Sequence, residues 1–271
     1  MENPLGKKIP VPLRYSPDLL YPISRSISRL KLSNFAETKN YGFDLWRIYE
    51  ISWLSEDNKP EVRIAEFIFY SNSTNIIESK SLKLYLNSLN DAVFKNETEY
   101  RNRLIHDLSA AAGMSVEVTL MPLTSVNCLT SKITQGRVLD DNLNFQLRSN
   151  PDRKILQISD AVVDEEQLYS ELFRSLCPIT GQPDWATFLI SYSGPKINEC
   201  SLLAYVCSFR NHAGYHEDCG ERMFCDILEH CNPTNLTISL KFLRRGGIDI
   251  NVHRSTENFI AKRFLPRLVR Q

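Results

Sequence analysis

The sequence has no long apolar segment and no excess charge of either sign. Its 271 residues include 32 Lys and Arg against 32 Asp and Glu, and 42% of them are hydrophobic. No stretch reaches the roughly 20 apolar residues that cross a bilayer. Residues 1–13 carry lysines and prolines where a signal peptide would have an apolar core. We therefore expect a soluble, cytoplasmic, globular protein with neither a membrane nor a nucleic-acid partner.

Motifs of common cofactor and metal sites are also absent. No Gly-x-Gly-x-x-Gly joins a strand to a helix, so a Rossmann-type nucleotide site is not expected. Neither Cys-x-x-Cys nor His-Glu-x-x-His occurs. Residues of zinc-binding type are nevertheless crowded together, at His212, His216, Cys219, Cys225 and His230. Their spacing matches no closed metal site, and we expect no metal.

Seven cysteines are present, an odd number in a chain long enough to build a core without disulfides. This count fits a reducing compartment. Most of the cysteines are expected to be buried as small hydrophobes, namely Cys200, Cys207, Cys219, Cys225 and Cys231.

Cys177 lies in a different setting, the segment Ser-Leu-Cys-Pro-Ile-Thr-Gly-Gln-Pro-Asp-Trp of residues 175–185. Two prolines and a glycine predict a rigid loop that opens into a strand, and such a loop can aim a thiol at a ligand. Asp184 on the same segment could move a proton to or from a nucleophilic thiolate. A buried structural cysteine with Asp184 in a turn remains open on composition alone.

Similar segments recur about 120 residues apart, which indicates an internal duplication. Ser-Leu-Lys-Leu-Tyr85 corresponds to Ser-Leu-Leu-Ala-Tyr205, and Arg103-x-x-x-Asp107 corresponds to Arg222-x-x-x-Asp226. We expect a first module over 1–135, a linker over 136–152 and a second module over 153–271.

Each half of the sequence predicts two strands, two helices and two strands. The expected strands are 43–54, 62–70, 116–123, 154–159, 185–192, 236–243 and 248–252, with a turn at 244–247. The expected helices are 81–92, 97–112, 199–210 and 219–230. The order indicates an α+β fold, with helices on one face of antiparallel sheets.

Two further clusters could carry function. In Glu78-Ser-Lys-Ser-Leu-Lys83, Ser79 or Ser81 could cap a helix, and Lys80 and Lys83 share a face. This is either an ordinary amphipathic helix start or a seat for phosphate. In the second cluster, His216-Glu217 is expected in a loop between helices, where the carboxylate could accept two N–H donors from a guanine-like edge. A hydrogen-bonded loop without ligand is the alternative.

Together, these motifs resemble the NADPH-dependent 7-cyano-7-deazaguanine reductases, the nitrile reductases of queuosine biosynthesis. The resemblance covers the Glu-Ser-Lys-Ser-Leu-Lys-Leu-Tyr stretch, the Cys-Pro-x-Thr-x-Gln-Pro-Asp loop, the Phe-Arg-Asn-His-x-x-Tyr-His-Glu stretch and Arg-Arg-Gly-Gly-Ile-Asp-Ile-Asn. It implies tandem tunnelling-fold modules, each a four-stranded antiparallel sheet with two helices. It also implies a homodimer and a deazapurine nitrile substrate bound between modules.

The resemblance assigns a role to each motif residue. Cys177 would add to the nitrile carbon as a covalent thioimide, and Asp184 would supply protons. NADPH would deliver two hydrides, giving the aminomethyl product. The residues implied to hold the base are Ile77, Glu78, Ser79, His216 and Glu217. Those implied to contact NADPH are Ser79, Lys80, Arg245 and Gly246.

One departure from the family pattern is visible, because Val252-His253 stands where a proline and an aromatic residue are expected. Two other functions are consistent with parts of the sequence. A zinc cyclohydrolase of the same fold would use the Cys and His side chains as ligands, and a purine- or pterin-binding module would carry Cys177 as a structural residue.

Overall fold

The computed structural model describes residues 14–32, 35, 40–124, 136–141, 145–258 and 267–271. Parts of the predicted first module and linker therefore lie outside the described residues, and the module bounds remain a prediction. The chain divides into two compact units. The first falls within Met1–Ile27, Leu45–Asn127 and Arg245–Asp249, and the second within Ser28–Asp44, Cys128–Arg244 and Ile250–Gln271. Among the described residues, no helix is long and apolar enough to cross a membrane.

The chain up to residue 124 contains five strands and three α-helices in its described part. They are β1 (Pro22–Ser24), α1 (Ser26–Arg29), β2 (Tyr41–Leu54), β3 (Pro60–Tyr70), β4 (Asn75–Ile77), α2 (Ser79–Asn87), α3 (Glu97–Ala112) and β5 (Glu117–Met121). In the first unit, β3 lies between β2 and β5 and pairs with β5 in antiparallel register. Most of the apolar residues that predict α2 and α3 by their helical spacing are buried, whereas Ile105 is only partly buried; the buried ones are Leu82, Tyr85, Leu86, Leu89, Leu104 and Leu108.

The remaining described chain forms β6 (Arg137–Val138), β7 (Ile158–Ser170), β8 (Arg174–Leu176), β9 (Pro183–Ile197), α4 (Glu199–Ser208), α5 (His216–Cys231), β10 (Asn235–Phe242) and β11 (Ile248–Ser255). In the second unit, an antiparallel ladder runs β7–β9–β10–β11. The short β8 pairs with the start of β9, and β6 runs parallel to the end of β7. Helix α5 packs on β10. A Cβ on Gly220 would lie 2.4 Å from Val252, so this glycine lets α5 approach the sheet closely.

The α+β class with antiparallel sheets and few helices is confirmed, but several predicted elements are wrong. The strand expected at 154–159 is instead a 3-10 turn, Arg153–Ile155, and β7 begins only at Ile158. Seven of the 13 residues of β7 are exposed and four are acidic, so its sequence lacks the apolar alternation of a half-buried strand. Helix α2 ends at Asn87 rather than 92, and α4 ends at Ser208 rather than 210.

The same helix contacts occur in each unit, in residues that the repeat predicts to be equivalent. The Tyr85 hydroxyl donates to Asp107 at 2.7 Å, and the Tyr205 hydroxyl donates to Asp226 at 2.7 Å. In both units the hydroxyl oxygen of an equivalent helix serine accepts a backbone N–H at 3.0 Å. Ser81 accepts it from Tyr21, and Ser201 accepts it from Gln157. The low sequence identity between the halves therefore conceals a shared pattern of buried polar contacts.

Candidate active site

The Cys177 segment is the loop of a hairpin in the second unit. Strand β8 pairs with β9 through Leu176↔Pro183 and Ser175↔Asp184. The loop is closed by hydrogen bonds from the Cys177 N–H to the Gln182 carbonyl at 2.8 Å and from the Gly181 N–H to the Cys177 carbonyl at 3.0 Å. Gly181 takes φ +67, a left-handed conformation that glycine adopts without strain. The rigid loop opening into a strand is confirmed.

This hairpin relates Cys177 to Asp184. Because side chains alternate along a strand, Cys177 is expected on the face of Ser175, and Ser175 lies directly opposite Asp184. The two candidate residues are thus diagonal neighbours, about 7–8 Å apart at their Cα atoms in a regular ladder. Both are buried, with 8% of Cys177 and 4% of Asp184 exposed. A carboxylate so placed can exchange a proton with a group held between it and the thiol.

His216 and Glu217 lie in the first turn of α5, not in the loop where the sequence predicted them. The helix begins three residues earlier than expected because Tyr215 takes an extended conformation and ends the preceding loop. His216 Nε2 lies 3.9 Å from Asp184 Oδ2, and its ring meets the edge of Phe242 with centroids 3.9 Å apart. Glu217 is 3% exposed and lies in the first turn of the same helix.

Burial affects the reactivity of four cysteines outside the Cys177 loop. It raises the pKa of Cys207 to about 11 and the pKa values of Cys219, Cys225 and Cys231 to about 12. These four thiols are therefore protonated near pH 7, and a protonated thiol is a poor nucleophile. They are buried packing residues, as predicted, but Cys200, which was expected to be buried as well, is partly exposed.

The cluster of zinc-binding residue types is not gathered into a ligand set. Within the described ranges, no three His, Cys, Asp or Glu side chains converge to hold a metal ion. Burial lowers the pKa of His212 to about 4, so its ring is neutral at neutral pH. His230 lies at the far end of α5, where its Nε2 is 3.0 Å from the Leu156 carbonyl oxygen.

In the first unit, Glu78 caps helix α2 with its own carboxylate. One oxygen accepts the Lys80 N–H at 2.8 Å and the other accepts the Ser81 N–H at 2.8 Å. The predicted serine cap is therefore wrong. The Ser81 hydroxyl instead donates to the Glu78 carbonyl at 2.6 Å. Glu78 and the preceding Ile77, at the end of β4, are only 2% and 3% exposed, and Ser79 opens the helix.

The glycine turn between β10 and β11 lies against the same helix. Gly246 and Gly247 have φ +62 and +80, a hairpin turn that requires two left-handed residues. A Cβ on Gly246 would lie 2.8 Å from Lys83 Nζ, so the lysine head group contacts bare backbone. Lys83 belongs to the Glu78–Lys83 motif, but the family resemblance does not assign it to the cofactor. Its contact with Gly246 places it beside a predicted cofactor residue, and only the folded chain shows this.

The unexpected Val252-His253 has a packing role in the second unit. The His253 ring stacks on Phe43 with centroids 5.0 Å apart, and Nδ1 is 2.8 Å from the Ser239 hydroxyl. Burial lowers the pKa of His253 to about 4, so the ring is neutral and behaves like an aromatic side chain. The residue therefore supplies the aromatic surface that the family pattern led us to expect nearby.

Cavities of about 600 and 590 Å³ lie in the second unit, and neither is lined by Cys177, Asp184, His216 or Glu217.

The structure places these four residues at the β8–β9 hairpin and the start of α5. It gathers the other predicted site residues around α2 and the glycine turn of the first unit. Sequence reasoning missed Phe242, because an apolar residue at the end of a strand gives no functional signal.

Comparison with known proteins identifies the family of this chain. Residues 12–120 match the family described as "Nitrile reductase, 7-cyano-7-deazaguanine-reductase N-term", and residues 183–259 match the family described as "QueF-like protein". The NADPH-dependent 7-cyano-7-deazaguanine reductase of Dechloromonas aromatica is 44% identical over 96% of this chain and 92% of its own length. The reductase of the same name from Coxiella burnetii is 43% identical over 94% of this chain and 92% of its own. The chain belongs to the NADPH-dependent 7-cyano-7-deazaguanine reductase family of nitrile reductases.

Proposed function

We propose that the protein is an oxidoreductase that reduces the nitrile of 7-cyano-7-deazaguanine to the aminomethyl product, with NADPH as reductant, in queuosine biosynthesis. The observation that carries this proposal is the β8–β9 hairpin. It holds Cys177 in a closed loop, diagonal to a buried Asp184 that lies 3.9 Å from His216. Family membership over nearly the whole chain supports the same substrate and cofactor.

In the proposed reaction, Cys177 forms a covalent thioimide. Asp184 takes the thiol proton, the Sγ–C bond forms as one π bond of the nitrile breaks, and Asp184 returns the proton to the nitrile nitrogen. A nitrile carbon is electrophilic and a thiolate is a soft nucleophile, so the addition needs no cofactor. When bound, NADPH would supply one hydride for each of the two reductions, and Asp184 would relay one proton from solvent for each hydride, so that the nitrile, two hydrides and two protons give the amine. When the Sγ–C bond breaks, the thiolate of Cys177 is restored.

The proposed base contacts use acceptors that are already oriented. Each oxygen of Glu78 accepts one backbone N–H, and Oε1 also has the Ser79 hydroxyl at 3.5 Å, so Oε2 keeps a lone pair for a further donor. Glu217 is held at the start of α5 and can accept N–H groups of the deazaguanine in the same way. We assign Ile77, Ser79 and His216 to the remaining contacts with the base. A carboxylate that accepts two ring N–H donors discriminates strongly against rings that lack them.

The residues of the first unit fit an anionic dinucleotide. Lys80, Lys83 and Arg245 are cationic, and Gly246 brings bare backbone against the Lys83 head group. A Cβ on Gly247 would meet nothing within 4 Å, so the turn is open on that side. We therefore assign phosphate contacts to Lys80, Lys83, Arg245 and Gly246 together with Ser79, because Lys and Arg are the side chains that bind phosphate.

The finer features of the fold and cellular setting are also proposals. We propose tandem tunnelling-fold modules within 1–135 and 153–271, and assembly as a homodimer, both by analogy with the family. A cytoplasmic location is supported by the cysteines, because all six of those described are free thiols.

Intact-mass measurement with the nitrile and without NADPH tests the nucleophile and the substrate together. We expect the protein to gain the mass of one substrate molecule, since addition to a nitrile expels no group. Cys177→Ala should lose both the adduct and NADPH oxidation. Cys200→Ala is the matched control, because Cys200 is a partly exposed free thiol outside the site, and it should keep both. Normal turnover by Cys177→Ala would exclude the covalent mechanism.

The role of Asp184 is tested separately. Asp184→Asn keeps the size of the side chain but cannot carry the proton, so turnover should fall by about 10²–10⁴-fold. Affinity for the base, measured by calorimetry, should change much less. Equal losses in turnover and affinity would remove Asp184 from the proton-transfer step.

A further inference from the structure

His216 is held between two strand ends of the second unit. Asp184, at the start of β9, lies 3.9 Å from its Nε2, and the Phe242 ring, at the end of β10, meets it nearly perpendicularly at 89°. An edge-on aromatic contact has a preferred geometry, so a small displacement of either strand end would move the imidazole. The placement of His216 against Asp184 thus depends on what holds these ends of the sheet.

Residues 267–271 bind both of these strand ends. Gln271 Nε2 donates to the Phe242 carbonyl at 3.2 Å and to Asn251 Oδ1 at 2.6 Å. The Arg270 guanidinium donates to the Ala186 carbonyl at 3.3 Å. Phe242 and Ala186 are direct partners in the β9–β10 ladder, and Ala186 is two residues beyond Asp184. The segment therefore forms hydrogen bonds to the backbone carbonyl groups of both residues of one cross-strand pair, Phe242 and Ala186.

The segment itself is well anchored. Gln271 is only 3% exposed, and its side-chain oxygen accepts the Leu268 N–H at 3.0 Å. The Arg244 N–H donates to the Arg270 carbonyl at 3.1 Å, immediately after β10. A buried amide that uses both its donor and its acceptor has one favoured orientation, because any rotation leaves polar groups unsatisfied. Gln271 can thus fix the position of the Phe242 backbone.

We infer that Gln271 and Arg270 are positioning residues, which hold Phe242 and Asp184 on either side of His216 and so set the imidazole for the chemical step. This inference rests on the proposed function. Neither residue needs to contact the substrate. Because Asp184 is assigned to proton transfer and His216 to the base, loss of either positioning residue should lower the rate of the chemical step and also weaken base binding.

The test compares Gln271→Ala with Val269→Ala, which changes an 83% exposed side chain of the same segment. We expect Gln271→Ala to lower kcat about tenfold, as a small misplacement at a catalytic group does, and to raise KM several-fold, because His216 is also assigned to the base. Val269→Ala should match the wild type. In the Phe242→Leu background, Gln271→Ala should add little further loss, because the contact that it positions is already gone.

A spectroscopic measurement makes the test independent of turnover. The Phe242 ring edge shifts the His216 Cε1–Hε1 resonance, so Gln271→Ala should move that resonance and leave those of His106 and His230 in place. An unmoved His216 resonance with unchanged kcat would overturn the inference. Absence of nitrile reduction by the wild type would instead overturn the proposed function. If Gln271→Ala fails to fold, Arg270→Leu carries the same comparison.

Discussion

Arg254 is the center of a buried charge network whose removal should be costly. Its guanidinium donates to Asp44 Oδ1 at 2.7 Å and to Glu221 Oε1 at 3.1 Å, and all three side chains are at most 1% exposed. In Arg254→Met, the cation is lost while two carboxylates stay buried. Breaking a buried pair by removing one partner costs about 3–5 kcal/mol. We expect the free energy of unfolding to fall by that amount.

Arg29→Met is the matched control for this network. Arg29 also binds Glu221, at 2.7 and 2.9 Å, but its side chain is 18% exposed. Glu221 would keep Arg254 as its partner, so the loss should be less than half as large. Urea unfolding followed by circular dichroism measures both variants. A loss below about 1 kcal/mol for Arg254→Met, or equal losses for the two variants, would refute the reasoning, since the desolvated charges would then not need the cation.

A second pair of variants tests the glycine turn, and a pH series tests His253. Gly246→Ala and Gly247→Ala carry similar left-handed strain, but only the first places a Cβ against Lys83. Fluorescence titration should show weaker NADPH binding by Gly246→Ala than by Gly247→Ala, and equal affinities would count against a phosphate contact there. The pKa of His253 is lowered from 6.5 to about 4, so the unfolded state binds more protons between these values. Stability should be full above about pH 6.5 and fall toward pH 4, by about 2–3 kcal/mol, because one pKa unit corresponds to about 1.4 kcal/mol. His253→Gln should have a shallower acid loss in urea unfolding, and an unchanged slope would contradict a neutral buried imidazole.

The sequence alone was enough for the class of fold and for the helices with strong apolar stripes. Leu82, Tyr85 and Leu86 recur at helical spacing, and burial of one face is the force that fixes such a helix. The prolines and glycine around Cys177 also predicted its loop correctly, because their backbone restrictions act locally. These features depend on near neighbours in the chain, and the sequence states them directly.

Weakly patterned segments were harder to predict. Strand β7 has seven exposed and four acidic residues among its 13, so pairing with β9 rather than its own sequence makes it a strand. The cap of α2 was assigned to a serine, but the strand that ends at Ile77 delivers Glu78 to the first turn with both oxygens in reach of N–H groups. Several residues near the start of α2 could cap it, and the direction in which the preceding strand enters the helix decides that Glu78 does so.

The relations that give the candidate site its chemistry are all contacts between residues distant in sequence. The 3.9 Å approach of His216 to Asp184 joins α5 to a hairpin 32 residues earlier, and Gln271 reaches Phe242 from 29 residues away. No local propensity encodes such distances. They follow from the register of β9 against β10 and the packing of α5, where burial and hydrogen bonding are satisfied together across the whole unit. The sequence determined which side chains could react, and the tertiary structure decided which of them meet.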